Sequence, residues 1–270
     1  MADAARADLL TRIASDRQRR VAEMERKTPG HKLRAQLGTA LPAGRLERAL
    51  RRAPGQPLRL ICEIKRASPL KGMLNEHLDP VAMARLYEQG GATAISIVTE
   101  PDHFLGDPAW VNAVRPQVRL PILLKDFVLD TYQLLDAATR GADSVLMLAV
   151  LLSEVRLQRL ITEARLLGLD ALVEVHDEEE LQRSLRAGAT LVGINHRDLR
   201  TFEIDLETSS RLLPRVPPLV TAVAESGISS PEALARLRPT RCDAVLIGEA
   251  FMTSPDPAAV LASLTAAARG

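Results

Sequence analysis

A repeated segment is the feature of this sequence that most limits the folds it can adopt. In each copy a Gly-Ala-polar start leads into an apolar stretch: GGATAISIV at 90–98, GADSVLML at 141–148 and GATLVGIN at 188–195, with CDAVLIGEA at 242–250 as a degraded fourth copy. One further apolar segment lies between successive copies, and these are LPILLKDF, GLDALVEVH and PPLVTAVAESG. With LRLICEIK ahead of the first copy, the sequence predicts eight strands.

Helical patterns separate these strands. DPVAMARLYEQGG begins with an aspartate cap followed by proline, and DEEELQRSLRAG has acids in its first turn and arginine and glycine at its end. Strands that alternate with helices and are almost wholly apolar are typical of a parallel sheet covered by helices. Eight such units predict a closed (β/α)8 TIM barrel. No GxGxxG follows any strand, which argues against a dinucleotide-binding sheet.

The chain of 270 residues is predicted to be a single (β/α)8 barrel domain, with residues 1–45 as an N-terminal helical extension and residues 46–270 as the barrel. Residues 1–60 carry 14 Lys and Arg against 6 Asp and Glu. Apolar residues such as Leu10 and Ile13 recur among these charges at helical spacing. That pattern indicates an amphipathic helix docked on the barrel rather than an arm that binds nucleic acid.

Composition excludes several other classes of protein. Aromatic residues make up only 3% of the chain, which argues against readers of single-stranded nucleic acid. No apolar run approaches the ~18 residues of a membrane span, and the N-terminus lacks the apolar core of a secretory signal. We therefore expect a cytoplasmic protein with no nucleic-acid or membrane partner. Cys62 and Cys242 lack metal-site spacing and are expected to be buried, inert thiols.

Polar side chains collect where the predicted strands end. Glu63 and Lys65 lie two residues apart on the first strand and so share one face of it. Because the chemistry of parallel barrels lies at the carboxyl ends of the strands, such residues are candidates for an active site. The corresponding positions on later strands are Lys125 and Asp126, Glu174, Asn195 and Arg197, Glu225 and Ser226, and Gly248 and Glu249.

Two interpretations of these charges are open. Lys65 and Lys125, together with Glu63 and Glu174, suit proton transfer, because burial at a barrel mouth shifts the pKa of a lysine or a glutamate. The alternative is a ring of structural ion pairs that contributes little net stability. The number of such groups on strand ends favours the catalytic interpretation.

Two loops have the pattern of a phosphate site. ESGI follows the seventh predicted strand and IGEAF includes the end of the eighth, and each places glycine where the backbone must approach a ligand closely. Barrels often bind phosphate with these two loops and a helix N-terminus. Ser226, Gly227, Gly248 and Glu249 are the candidate residues.

The histidines do not indicate a metal site. The five of them, His31, His77, His103, His176 and His196, show no HxxxH or facial-triad spacing, so the sequence predicts no metal. His176 and His196 fall near the barrel mouth and are expected to be solvent-exposed loop residues. With no cofactor motif present either, we expect an enzyme without cofactors.

The segment EIKRASPLKG at 63–72 resembles the signature of the indole-3-glycerol phosphate synthase family. The resemblance continues in the family's order from about residue 45 to residue 262, with Leu70 where serine is common. It implies a lyase (a carbon–carbon carboxy-lyase) of tryptophan biosynthesis that converts 1-(2-carboxyphenylamino)-1-deoxyribulose 5-phosphate to indole-3-glycerol phosphate, CO2 and water. The other segments that carry it are TEPDHFLG, LPILLKDF, GADSVLML, ALVEVHDEEEL, GINHRDLRTF, VAESGI and LIGEAFM.

The resemblance also implies a role for each matching residue. Lys125 would protonate the ribulose carbonyl while the anilino ring carbon attacks it, and Lys65 would contact the phosphate and carboxylate ends of the substrate. Glu174 and Glu63 would remove protons, and Asn195 and Glu225 would orient hydroxyl groups. The phosphate would be bound by Ser226, Gly227, Gly248 and Glu249, and further substrate contacts would come from Ser68 and Arg197. The wall of the aromatic pocket would be formed by Pro69, Phe104, Phe127, Leu146 and Leu199.

Two other functions are weighed against this one. A phosphoribosylanthranilate isomerase-like barrel should use a Cys/Asp pair at strand ends, but Cys62 points away from Glu63 and no partner aspartate follows. A non-catalytic phosphate-binding barrel should have lost a lysine or a glutamate at a strand end, and all are present. The expected partner is a phosphorylated small molecule, and the expected state is a monomer or a weak homodimer.

Overall fold

The computed structural model describes residues 2–38, 43–199 and 203–270, with side chains from residue 9 onward. Eight parallel strands close into a barrel, which confirms the predicted (β/α)8 fold. A short hairpin that the sequence did not predict, β2–β3, lies beside the barrel mouth. The strands are β1 (Arg59–Ile64), β2 (Ala67–Ser68), β3 (Gly72–Met73), β4 (Ala94–Val98), β5 (Ile122–Lys125), β6 (Ser144–Leu148), β7 (Asp170–Val175), β8 (Leu191–Asn195), β9 (Thr221–Glu225) and β10 (Ala244–Ile247).

Helices follow the barrel strands and cover the outside of the sheet. Of the motifs noted above, the last three residues of GINHRDLRTF, 200–202, lie outside the described residues. No helix in the described ranges is long and apolar enough to cross a membrane. The helices are α1 (Ala2–Lys27), α2 (Gly30–Gln36), α3 (Arg45–Leu50), α4 (Pro80–Gln89), α5 (Ala109–Val114), α6 (Thr131–Thr139), α7 (Glu154–Leu166), α8 (Glu178–Arg186), α9 (Glu207–Leu212), α10 (Pro231–Leu237), α11 (Glu249–Met252) and α12 (Pro257–Arg269).

Each strand divides its side chains between two cores. On β1, Ile61 joins the cluster inside the barrel, whereas Leu60 and Cys62 join the larger cluster between strands and helices. The alternation follows from the two-residue period of an extended chain. Cys62 and Cys242 are both buried free thiols, as expected. Burial raises the pKa of the Cys242 thiol to about 12, which keeps it protonated and unreactive.

Helix α3 closes the bottom of the barrel, at the amino ends of the strands. Its Leu46 and Leu50 are fully buried against the interior layer that includes Ile61. The Asp170 carboxylate, at the start of β7, accepts hydrogen bonds from the backbone N–H groups of Leu46 (2.7 Å) and Glu47 (3.0 Å). A carboxylate from β7 therefore caps this helix and fixes it across the barrel floor.

Helix α1 lies at the opposite end, against the barrel mouth. Arg17 donates to the Asp126 carboxylate at 2.7 Å, and both side chains are almost completely buried. Two pairs nearer the surface join Arg20 to Asp102 and His103 to Asp16. The amphipathic N-terminal helix is thus docked on the barrel, with its apolar face and Arg17 turned inward.

Candidate active site

The carboxyl ends of the barrel strands surround a pocket that the β2–β3 hairpin and α1 enclose from above. Leu9, Leu10 and Ile13 of α1 form part of its wall. The sequence-predicted site residues that line this pocket are Glu63, Lys65, Ser68, Pro69, Phe104, Lys125, Phe127, Leu146, Glu174, Asn195, Arg197, Leu199, Ser226 and Glu249. The remaining three, Glu225, Gly227 and Gly248, are not among the lining residues.

Glu63 is the centre of a buried charge cluster. Its carboxylate contacts the Lys65 ammonium at 2.9 Å and the Lys125 ammonium at 3.6 Å, and it accepts a hydrogen bond from the Ser96 hydroxyl at 3.3 Å. Burial raises the pKa of Glu63, but the two ammonium groups outweigh burial and the net shift is downward. Glu63 and Lys65 do share a face of β1, and Glu63 is an ionised carboxylate between two cations.

Lys125, at the end of β5, is surrounded by carboxylates. Burial lowers the pKa of its ammonium, but the charges of Glu63, Glu174 and Glu225 outweigh burial and raise it well above the usual value for lysine. Lys125 therefore holds its proton at neutral pH. It can donate a strong, charge-assisted hydrogen bond to an oxygen placed in the pocket.

Glu174, at the end of β7, is held by two neighbours. The Asn195 side-chain amide donates to its Oε1 at 2.9 Å, and the His176 Nε2 lies 3.3 Å from the same oxygen. Burial raises the pKa of Glu174, but His176 and Lys125 outweigh burial and lower it to about 2. Glu174 is therefore a carboxylate able to accept a proton at neutral pH.

Glu225, at the end of β9, differs from the other two glutamates. It is 1% exposed, and its Oε1 has no hydrogen-bond partner among the described residues. Burial and the nearby Glu174 charge raise its pKa to about 8. A side chain at Gly193 would place a Cβ only 2.0 Å from this oxygen, so glycine there makes room for Glu225. At neutral pH Glu225 is a carboxylic acid that can donate a hydrogen bond.

The two candidate phosphate loops have distinct geometry. Ser226 and Gly227 both have a left-handed backbone, with φ of +67° and +71°. Gly248 has an ordinary negative φ, but a Cβ there would lie 2.7 Å from the Glu63 Oε1. Glycine at this position was expected to allow close approach of a ligand, whereas its near neighbour in the structure is Glu63. The Glu249 carboxylate is paired with the ammonium of Lys71 on the hairpin.

The apolar wall is formed by two aromatic rings and by Pro69, Leu146 and Leu199. Phe104 and Phe127 lie with ring centroids 6.1 Å apart. Glu100, buried at the end of the β4 segment, accepts a hydrogen bond from the Phe104 backbone N–H at 2.9 Å. This carboxylate fixes the loop that presents Phe104, a role that the sequence analysis did not assign.

Two histidine predictions are wrong. His196 is 2% exposed: its Nδ1 lies 2.8 Å from the Ser226 carbonyl oxygen and its Nε2 lies 2.6 Å from the Ser209 hydroxyl. His176 is only 12% exposed and lies between Glu174 and Glu180. The two-residue spacing of Glu174 and His176, which puts both on one face of an extended chain, was the signal that could have indicated this contact.

Metal-ligand geometry is not found in the described part of the chain, where no three His, Cys, Asp or Glu side chains come together as a cation site would need. The charged groups of the pocket are instead arranged as ion pairs. The pocket thus combines a protonated lysine, two ionised glutamates, a neutral glutamic acid and an apolar wall. This combination suits acid–base chemistry on a ligand that has both aromatic and charged parts.

Comparison with known proteins points to a single family. The sequence model of one family, described as indole-3-glycerol phosphate synthase, matches residues 10–264. A protein of that name from Carboxydothermus hydrogenoformans is 43% identical over 262 residues, which is 95% of this chain and 99% of its own length. One from Parafrankia is 49% identical over 219 residues, or 81% of each chain, and indole-3-glycerol phosphate synthase 1 from Streptomyces coelicolor is 42% identical over 247 residues, or 92% of this chain and 91% of its own.

Solved structures that resemble the chain are more distant in sequence. Thiamine phosphate pyrophosphorylase from Pyrococcus furiosus has a TM-score of 0.62 at 18% identity and covers 79% of this chain and 96% of that protein. 3-Hexulose-6-phosphate synthase from Salmonella typhimurium has a TM-score of 0.62 at 17% identity and covers 78% and 98%. At such low identity, these two likenesses support the barrel fold alone.

Proposed function

The chain belongs to the indole-3-glycerol phosphate synthase family, and from this we propose that it closes the indole ring of a phosphorylated substrate. The substrate is 1-(2-carboxyphenylamino)-1-deoxyribulose 5-phosphate, and the products are indole-3-glycerol phosphate, CO2 and water. The protein is then a carboxy-lyase of tryptophan biosynthesis. The observation that carries the proposal is the cluster of Lys65, Glu63 and Lys125, which places two ammonium groups on one buried carboxylate beside an apolar wall.

Ring closure requires an acid at the ribulose carbonyl. Lys125 suits this role, because its raised pKa keeps it protonated and the surrounding carboxylates hold its ammonium in place. As the anilino ring carbon attacks the carbonyl carbon, the carbonyl oxygen becomes a hydroxyl with the proton from Lys125. Phe104 and Phe127 provide an apolar surface against which the anilino ring can pack.

Loss of CO2 follows from the ring-closed intermediate itself. The C–C bond to the carboxylate breaks, and its electron pair moves to the iminium nitrogen. Lys65, which is partly exposed at the pocket wall, is placed to bind the carboxylate before this step. Elimination of water then needs a proton for the leaving hydroxyl and a base for the ring carbon. A lysine ammonium supplies the first and the ionised Glu63 or Glu174 the second.

The phosphate end of the substrate is assigned to the side of the pocket that is formed by the loops after β9 and β10. The left-handed turn at Ser226 and Gly227 and the start of α11 at Gly248 are assigned to the phosphate through their backbone N–H groups. Ser68 and Arg197, which line the pocket, are assigned to it through their polar side chains. Glu249 contributes its backbone only, because its carboxylate is paired with Lys71. Asn195 and the neutral Glu225 are assigned to the sugar hydroxyls.

We further propose that residues 1–45 act as an extension of one barrel domain, 46–270, and that the protein works in the cytoplasm without nucleic acid as a monomer or weak homodimer. The isomerase-like alternative needs a reactive cysteine at a strand end. Cys62 packs in the outer core and its thiol pKa is raised by burial, which argues against that function.

The test is a fluorescence assay for indole formation from the anilino-deoxyribulose phosphate with the Lys125→Met variant. We expect kcat to fall by roughly 10²-fold or more, because a general acid is lost. Lys32→Met is the control, and its kcat should stay within about threefold because Lys32 is exposed on α2 and does not line the pocket. Near-native turnover by folded Lys125→Met, or no indole product from the unmodified protein, would contradict the proposal.

A further inference from the structure

His176 lies between two glutamates just beyond the end of β7. Its Nδ1 is 3.0 Å from the Glu180 Oε2, and that oxygen also accepts a hydrogen bond from the His176 backbone N–H at 2.9 Å. On the other side, the His176 Nε2 is 3.3 Å from the Glu174 Oε1, close enough for an ion pair although the N–H is not aligned for a hydrogen bond. The imidazole therefore contacts one carboxylate with each nitrogen.

Glu180 is itself a fixed group. It is 5% exposed in the first turn of α8, and its backbone N–H donates to the Asp177 side chain that caps this helix, at 2.8 Å. The orientation of His176 is thus set by the scaffold rather than by solvent. The Glu180 carboxylate accepts only, so the His176 Nδ1 must carry a proton.

The surroundings of the other ring nitrogen, Nε2, determine whether the His176 imidazole is charged. If His176 were neutral, its unprotonated Nε2 would lie 3.3 Å from the Glu174 carboxylate, and two electron-rich atoms would be close together in a buried site. An imidazolium replaces this repulsion by attraction to both carboxylates. Burial lowers the pKa of His176, but Glu174 and Glu180 outweigh burial and raise it to about 10. The other titratable groups of this site are Lys125, which lowers the pKa of Glu174, and Glu225, whose pKa the Glu174 charge raises.

The hydrogen bond and the ion pair that described residues make with Glu174 fall on one oxygen. Its Oε1 receives both the Asn195 amide and the His176 cation, which leaves Oε2 as the oxygen available to a substrate proton. His176 is not among the residues that line the pocket. It therefore acts on the reaction through the carboxyl groups beside it rather than by touching the substrate, and Glu174 is the one it contacts.

We propose that His176 is a positioning residue, which with Glu180 behind it holds Glu174 ionised and oriented toward the substrate. This inference rests on the proposed function, because it presumes that Glu174 takes a proton during the reaction. Removing the cation should raise the pKa of Glu174, since one of the two cations that oppose the effect of burial is then gone. Loss of the contact should also let the carboxylate rotate away from its working direction.

The experiment compares pH–rate profiles of the unmodified protein, His176→Gln and Glu180→Gln in the fluorescence assay. For His176→Gln we expect kcat to fall by roughly tenfold to 100-fold with KM within about threefold, as for other residues that orient a reactive group. The acid limb of its kcat profile should move upward by about one pH unit or more, because Glu174 then binds a proton more readily.

Glu180→Gln tests the same effect of His176 on Glu174 without changing the imidazole itself. With one carboxylate removed, the pKa of His176 falls, so kcat should decline at a lower alkaline pH than in the unmodified protein. His31→Gln is the matched control, because His31 is exposed on α2 and should leave the profile unchanged. Thermal melting of each variant reports whether it is folded.

The outcomes separate the two proposals. An unmodified protein that makes no indole product would overturn the proposed function. An active protein whose folded His176→Gln variant keeps both kcat and the acid limb would overturn the positioning role alone. Should His176→Gln fail to fold, an unchanged alkaline limb in Glu180→Gln would have the same meaning.

Discussion

Replacing Arg17 by methionine should release α1 from the barrel mouth. The variant keeps an apolar stem but leaves the Asp126 carboxylate, 1% exposed in its side chain, without its cation. Removing one partner of a buried ion pair typically costs about 3–5 kcal/mol. The Thr99 hydroxyl (3.1 Å) and the Phe127 backbone N–H (2.7 Å) still donate to Asp126, so we expect the lower value. About 3 kcal/mol corresponds to roughly 10²-fold in the opening equilibrium of the helix.

Hydrogen–deuterium exchange measures this opening directly. Backbone amides of residues 9–27 should exchange roughly 10²-fold faster in Arg17→Met, while those of β6 in the barrel should be unchanged. The control is Arg20→Ala, which breaks the half-exposed pair with Asp102 and should cost at most about 1 kcal/mol. Arg17→Met with Asp126→Asn should exchange more slowly than Arg17→Met alone, because no buried charge is left unpaired.

The pH dependence of the defect provides a second check. Burial raises the pKa of Asp126 even with Arg17 present, and loss of Arg17 raises it further. As the pH falls, Asp126 takes up a proton and the helix should dock again. Equal exchange of α1 in Arg17→Met and Arg20→Ala, or a defect that does not change with pH, would refute the idea that this buried pair anchors the helix.

Three further variants test residues at or just after the ends of β9 and β10. Glu225→Gln should keep kcat within about threefold near pH 7, because a carboxyl group with a pKa of about 8 is already neutral there and the amide has the same shape. The raised pKa means that, between about pH 4.5 and about pH 8, the folded state keeps a proton that the unfolded chain has lost. Urea midpoints of the unmodified protein should therefore contain a component that falls as the pH rises through this range and levels off above it. This component should be absent from the variant, and an identical pH dependence in both proteins would contradict the assignment. Gly248→Val should lower kcat by roughly tenfold or more, because its Cβ would lie 2.7 Å from the Glu63 Oε1 and displace that carboxylate. Glu249→Ala, at the next residue, should leave KM within about twofold, and a Gly248→Val enzyme with normal kcat would show that Glu63 tolerates the contact.

The sequence allowed prediction of the barrel because its strands repeat. Six of the eight barrel strands were marked by an apolar run with a glycine or proline lead, and strand ends could be located from the apolar runs. The pairing of Glu63 with Lys65 on one face of β1 follows from the same two-residue period. Positions on strands were thus predictable from local spacing.

The contacts that were missed join distant parts of the chain or follow the end of a strand. His196 meets Ser226 and Ser209 through loops whose paths no local period describes. Arg17 and Asp126 are 109 residues apart, and nothing near either residue indicates the other. The neutral state of Glu225 depends on burial and on Glu174, neither of which is visible in the residues beside it.

The cap on α3 has a consequence for the order in which the chain can fold. The helix has only six residues, too few to be stable alone, and its N–H groups are satisfied by Asp170, about 120 residues later in the chain. Such a contact requires closure of a long loop before it contributes any stability. During synthesis α3 therefore leaves the ribosome among the first elements, but it cannot dock with its cap in place until β7 has been made. The floor of the barrel is therefore completed late.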